Sequence, residues 1–451
     1  MSASPRQENS HHQLWRKRLG ICLLGSLAVI GLVGKLLSHP GRPTPQVLSA
    51  GHDLFLHEWQ ETSNFSSDRD PLVAPAGDGL GPVFNGKSCV QCHFQGGVGG
   101  AGPNRSNVLA FDVVPTRTNR EFHTGVVHAL ATARTNQESP GEINRLFPTV
   151  KGEQRRISGC VITIPEFDPV RFTPINPPAL FGVGALAQIS DSAVRGYHRQ
   201  RQLSLYPREI HGDFAGTPAG RARVLPNGKI GRFGWKGQFA DLDEFVATAC
   251  AVELGLSNPK RKQDRPHQQG EDTQAPLDMT SEQLLALTAF TDSLPAPIRV
   301  CLLEGPARDA AARGEELFHQ IGCADCHPQR LGSVDGLYSD LLLHILEDDR
   351  EGGQYGRINP DLPLPADQPA PNEWKTPPLW GVADSAPYFH DGGARTLESA
   401  ILRHGGQARQ VTARYRKLPA ADQRAVIHFL ETLKAPSVEP APRSNLMAAQ
   451  D

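Results

Sequence analysis

Residues 85–97 read NGKSCVQCHFQGG and residues 319–332 read HQIGCADCHPQRLG, so one chain carries Cys-x-x-Cys-His twice. With 8 cysteines and 17 histidines in 451 residues, chance supplies on the order of 0.005 copies of that pattern per chain. Two copies therefore need a chemical reason. Closely paired cysteines serve a redox dithiol, a zinc site or covalent haem attachment. A structural zinc ion needs four ligands, and each motif offers at most two thiols and one histidine. Haem uses every position: the thiols add across the vinyl groups and the adjoining histidine becomes the proximal iron ligand. Cys89, Cys92, Cys323 and Cys326 are thus assigned to haem attachment, and His93 and His327 to iron.

The N-terminus bears on which chemistry applies. Arg16, Lys17 and Arg18 precede an uncharged apolar run from Leu19 to Gly34, and a basic flank of this kind favours export of the chain beyond the run. No small-x-small cleavage pattern stands close behind it, which favours an uncleaved anchor over residues 19–37 to a cleaved signal. Everything from about residue 45 onward is expected in the periplasm or cell envelope, where a cytosolic dithiol is a poor reading. The rest is globular in composition, with 39% apolar and 21% charged residues and a net charge of −2. That balance gives no basis for nucleic-acid binding. Only 6% of residues are aromatic, so a large apolar cofactor would supply much of the core.

The repeat extends past the cysteines. Phe84 lies five residues before Cys89, as Phe318 does before Cys323. NPPALFGVG (176–184) comes after the first motif and TPPLWGVAD (376–384) after the second; then come WKGQFADLDEF (235–245) and HDGGARTLESA (390–400). Segments 279–294 and 418–433 each show a polar start and apolar residues at helical spacing, so each is expected to close its half as a helix. No strand alternation stands out. The expected fold is mainly α: two cytochrome c-like haem domains from an internal duplication, with long loops and insertions. The expected divisions are 1–45 (signal or anchor), 46–300 and 301–435 (haem domains) and 436–451 (tail). Cys22, Cys160, Cys250 and Cys301 lack metal-binding neighbours and read as buried thiols or a disulfide.

These landmarks resemble the bacterial di-haem cytochrome c peroxidase superfamily, and within it the di-haem oxidoreductase branch sometimes labelled thiol oxidoreductase. GPVFNGKSCVQCH, RFGWKGQFADLDEFV, YSDLLLH and EWKTPPLWGVADSAPYFHDGGARTLESAI carry the resemblance, which covers about residues 50–435. It implies a reactive N-terminal haem, a six-coordinate C-terminal haem that relays electrons, and a tryptophan between them. Trp235 stands at that tryptophan's position; the plain alternative is a core tryptophan. His404, fourteen residues after His390, stands where the peroxidases place a methionine ligand, and this chain has no methionine nearby. The resemblance also implies a distal glutamate about twenty residues after the tryptophan, and Glu253 is eighteen after it. Where the branch often has an acid after PPALFGVG, this chain has Ala187 and Gln188, and Gln188 remains able to hydrogen-bond a distal ligand. A calcium ion between the domains belongs to the superfamily too, although no acidic cluster here marks a site for it.

Outside the resemblance, His123 and His128 are candidates to close the first haem from its distal side. His390 reads as a residue near a haem propionate or the domain interface, and no role emerges for His344. The expected activity is reduction of a small oxidant such as hydrogen peroxide at the N-terminal haem, with electrons from a donor cytochrome or similar carrier. A non-enzymatic di-haem electron carrier is the rival from another class, and an oxygenase or oxidase of the same superfamily is the rival within it.

Overall fold

The helix before each Cys-x-x-Cys-His motif meets the helix that closes the same half, and a glycine sets how close they come. The computed structural model describes residues 43–60, 79–116, 119, 123–164, 166–210, 219–267, 276–300, 304–346, 368–370 and 372–436. Its helices in chain order are α1 (Pro45–Leu56), α2 (Cys89–Cys92), α3 (Pro140–Leu146), α4 (Val183–Ala187), α5 (Asp191–Ile210), α6 (Leu242–Glu253) and α7 (Ser281–Ser293). Next are α8 (Pro306–Gln320), α9 (Leu397–Arg403), α10 (Arg409–Lys417) and α11 (Ala420–Glu431). On α1, Ala50, Gly51, Leu54 and Phe55 form the buried stripe. A Cβ on Gly51 would collide with the Ala286 carbonyl and press on Phe290, both on α7. On α8, Gly314 meets the Ala425 carbonyl and Phe429 of α11 in the same way. The same close crossing is therefore built twice, with the alanine and phenylalanine four residues apart each time.

Each closing helix starts where the sequence says it should. Thr280 and Gln283 form a reciprocal capping box ahead of α7, and Pro419 precedes α11. The paired landmarks also fold alike. Gly182 and Gly381, in NPPALFGVG and TPPLWGVAD, both take left-handed backbone (φ 71°) and open a short helical turn. Gly182 leaves room for the Trp380 ring of the other landmark, which a Cβ would displace.

The mainly α expectation is overturned. Eleven strands among the described residues make this a mixed α/β fold. They are β1 (Val83–Phe84), β2 (Val108–Val113), β3 (His123–Val127), β4 (Leu130–Ala131), β5 (Glu153–Ile157), β6 (Cys160–Ile164), β7 (Val170–Ile175), β8 (Ile298–Arg299), β9 (Leu343–Ile345), β10 (Glu373–Lys375) and β11 (Leu433–Lys434). All pair antiparallel: β3-β2-β7 as one sheet, and β1–β4, β5–β6, β9–β10 and β8–β11 as ribbons. Most of this lies in the long insertion after the first motif. Ser158 and Gly159, both at positive φ, supply the two-residue turn between β5 and β6. In the three-stranded sheet, Phe111 faces Gly125 and Phe172 and packs with Val113, Val127, Ile143 and Val170. The opposite face carries Val108, Ala110, Asp112, Thr124, Val126, Thr173 and Ile175 into a large cavity.

Contacts group Gln46–Asp451 as one unit and Met1–Pro45 as another. The expected anchor at 19–37, with Cys22, lies outside the described residues, as do Cys301 and nearly all of the tail. Among the described residues, no helix is long and apolar enough to cross a membrane. The glycine crossings yield a direct test. Gly314→Ala should destabilise the protein by about 2 kcal/mol, because the added methyl has backbone in its way. Chemical denaturation measures it, with Gly141→Ala, where the space is open, as the control.

Candidate haem centres

At the first motif, one turn of helix gathers all three reactive side chains. Ser88 caps α2, its hydroxyl accepting from the Gln91 N–H at 3.3 Å. His93 ends the turn with its own N–H on the Cys89 carbonyl at 3.0 Å. Its ring Nδ1 donates to the Pro178 carbonyl at 3.1 Å, with Gly100 O at 3.3 Å. That bond fixes the tautomer and leaves Nε2 as the bare nitrogen, the arrangement a metal-bound histidine needs. Burial pulls the ring down to a pKa of about 4, so it is neutral at physiological pH. Burial likewise pushes the Cys89 and Cys92 thiols up to about 12. A redox dithiol needs a lowered value, so these thiols are not built for that chemistry.

Cys89, Cys92 and His93 open on a cavity of about 1130 Å³. The sheet β3-β2-β7 forms one wall and α6 contributes another, through Phe245, Val246, Ala249 and Cys250. Arg223, Lys236, Lys260, Arg261, Lys262 and Arg265 add cationic side chains to the lining. Apolar walls with a basic rim suit a flat apolar macrocycle that carries two propionates. Two of the sequence-predicted residues meet the motif here. Trp235 lines the cavity, its indole N–H donating to the Asn176 carbonyl at 2.8 Å. Glu253, at the end of α6, also lines it and accepts from Asn85 Nδ2 at 2.7 Å. Burial raises the Glu253 carboxyl above its ordinary pKa, against the Asn85 bond and nearby His128. Asp112, on the sheet wall, is a second acid raised by burial, and sequence reading passed over it.

At the second motif, His327 Nδ1 donates to the Tyr338 carbonyl at 2.9 Å, and burial takes this ring too down to about 4. The His404 ring lies 6.5 Å from it, centre to centre. Two metal–nitrogen bonds of about 2 Å plus the two ring radii come to about 6 Å, so one iron fits between them. His404 Nδ1 donates to the Ala400 carbonyl at 2.7 Å, which again frees Nε2. The fit is of chain to iron at both motifs: two thiols, a histidine of fixed tautomer and, at the second, a histidine opposite. His344 packs at the edge of this centre, 3.7 Å from Cys326 Sγ, held by Asp340 at 2.9 Å and Gln407 at 3.1 Å.

Three expected residues stand elsewhere. His128 does not line the cavity. Its Nδ1 contacts Glu138 at 2.8 Å and its Nε2 donates to the Val252 carbonyl at 3.1 Å, so both nitrogens are engaged in joining the sheet to α6. Gln188 caps α4 on the exposed side and is absent from the cavity lining. His123 bonds Asn119 at 3.2 Å, away from the cavity. His390 is buried and stacks on Trp374, a residue the sequence reading missed. Two clusters of metal-ligating side chains occur among the described residues: His128–Glu138–His267 and Cys326–Asp340–His344. Both contain nitrogen or sulfur and suit calcium poorly, since that ion takes oxygen ligands.

Residues 225–433 match the family model described as "Di-haem oxidoreductase, putative peroxidase". Over these residues, a little under half of the chain, the sequence is similar to the di-haem oxidoreductases. Haem is accordingly the cofactor of the family. The gamma subunit of hydrazine synthase from Kuenenia stuttgartiensis is 30% identical over 119 residues, which is 22% of this chain and 34% of that one. The chain therefore spans about a third of that curated relative's length. Among solved structures, hydrazine synthase of the same organism, pressurised with xenon, aligns at 19% identity over 48% of this chain and 75% of its own, with a TM-score of 0.30. A MauG-like protein associated with microbial copper homeostasis aligns at 19% identity over 49% and 75%, with a TM-score of 0.28.

The His128–Glu138 pair predicts a pH profile. The His128 value is raised: burial opposes it, but the Glu138 carboxylate outweighs burial, so its contribution is full below about 6.5 and fades as pH climbs through the raised value. The Glu138 value is lowered, again against burial, so its contribution is full above about 4.5 and fades as pH falls through the lowered value. Glu138→Gln should cost about 3 kcal/mol between those limits and flatten both limbs, as read by denaturant unfolding against pH.

Proposed function

We propose that the chain is an exported di-haem c-type oxidoreductase that reduces a small peroxide at the first haem centre, with electrons relayed through the second. The observation that carries this reading is the asymmetry between the two motifs. His327 has His404 facing it across a gap of iron size, whereas His93 opens on a cavity whose lining includes two half-buried carboxyl groups, Glu253 and Asp112, and among the described residues no histidine ring is paired with it as His404 is with His327. Bound haem would supply the redox chemistry, and for hydrogen peroxide the balance is one peroxide, two electrons and two protons giving two waters.

The chain's own residues divide the remaining work. Cys89, Cys92, Cys323 and Cys326 hold the haems by thioether bonds, and His93 and His327 present neutral imidazole. His404 closes the second centre, and two histidine ligands favour a lower potential than histidine with methionine. Burial favours the protonated form of Glu253, which is placed to pass a proton into the cavity, with Asn85 fixing its orientation. Trp235 lies on the route between centres. The electron donor is a cytochrome or comparable carrier in the periplasm, and residues 19–37 attach the chain to the membrane. A calcium ion has no all-carboxylate cluster to hold it among the described residues, since both clusters of metal-ligating side chains include histidine.

Protein matured with haem should give one high-spin and one low-spin ferric EPR signal, and added peroxide should perturb the high-spin signal. Two low-spin signals indifferent to peroxide would instead mean an electron carrier. His404→Ala should convert the low-spin signal to high-spin while both haems stay attached. Glu253→Gln should keep both haems and lower kcat/KM for peroxide by about a hundredfold, since one positioned proton donor is worth that order of rate.

A further inference from the structure

Trp374 sits where two lines of contact from the second centre converge on the first cavity. One line starts at His404, whose ring lies 5.2 Å from Phe389. The next residue, His390, lies flat against Trp374, with ring centres 3.5 Å apart and planes 9° from parallel. The other line starts at Cys326, with His344 Nδ1 3.7 Å from its sulfur. His344 stands directly opposite Trp374 in the β9–β10 ladder. Trp374 itself is buried and lines the first cavity. The Lys236 ammonium lies 4.1 Å over the indole ring, and its Nζ donates to the Ala370 and Glu373 carbonyls at 3.0 and 3.3 Å.

We propose that the stacked Trp374–His390 pair is an electron relay between the two haem centres, acting beside Trp235, and that Lys236 tunes it. This rests on the di-haem reading above. Electron tunnelling weakens exponentially with the gap between π systems, and two rings in van der Waals contact shorten the jump from the second centre to the first. In one transfer the second centre loses an electron, the first gains it, and the pair returns to its starting state. A fixed cation over the indole face disfavours positive charge on the ring. Lys236 therefore keeps the tryptophan from resting as an oxidised radical, so that charge passes rather than stops there.

The test uses the full chain loaded with both haems. Haem content and the two EPR signals are checked first, and absence of two haems would overturn the di-haem reading before any rate is measured. Internal electron exchange is then monitored optically after partial photoreduction. Trp374→Phe should slow exchange by at least an order of magnitude with both haem spectra unchanged; a smaller effect overturns the relay. If Trp374→Phe fails to assemble, Lys236→Gln decides. A tryptophan radical signal should then accumulate on oxidation by peroxide, and no increase over the wild type overturns the proposal.

Discussion

Each motif histidine gives up one ring nitrogen to a backbone carbonyl, and the rest of the molecule is arranged so that this bond can form. Pro178 offers the carbonyl at the first motif and Tyr338 at the second. Pro178 comes from the NPPALFGVG landmark, whose left-handed Gly182 turns the chain back into the core. Tyr338 is itself at positive φ and is buried against Phe318 and Phe429 of the α8–α11 crossing. The glycine-mediated helix contacts therefore do more than stabilise. They fix where the carbonyls stand, and the carbonyls decide which nitrogen each histidine presents.

The two halves use that common device differently. The second half sets a histidine from the end of α9 opposite His327, in reach because α9 and α10 fold back over α8. In the first half the corresponding helix, α6, lines a cavity instead, and the insertion between the first motif and NPPALFGVG folds as a sheet that forms the facing wall. Burial then acts on the groups that the cavity contains. The same loss of solvent that neutralises His93 favours the protonated forms of Glu253 and Asp112. One physical effect thus prepares a ligand and two acids together.

Much of this was legible in the sequence, and the features that escaped it have identifiable causes. The cysteine pairs, their histidines, the repeated landmarks and the closing helices were readable because each depends on local spacing. Glu253 and Trp235 were placed by resemblance, and both reach the cavity. The sheet escaped notice because strand β2, Val-Leu-Ala-Phe-Asp-Val, is apolar on one face and, Asp112 apart, on the other: one packs on Ile143 and the other lines the cavity. Without a polar face there is no alternation to see. His128 looked like a free ligand because sequence cannot show that Val252 and Glu138 already hold both its nitrogens. Trp374 was missed because its significance comes from partners found on three separate segments.

The contact between Gly182 and Trp380 changes what the duplication means. The glycine that both landmarks share for its left-handed turn also makes room, in the first, for the tryptophan ring of the second. Arg221, from the first half, pairs with Glu373 of the second, and the Lys375 N–H donates to the Trp235 carbonyl at 2.9 Å. The two halves share a wall, and Gln46–Asp451 pack as one unit. Evolution at such a boundary is coupled: a larger residue at 182 must be answered at 380, and a half exchanged between relatives carries the mismatch with it.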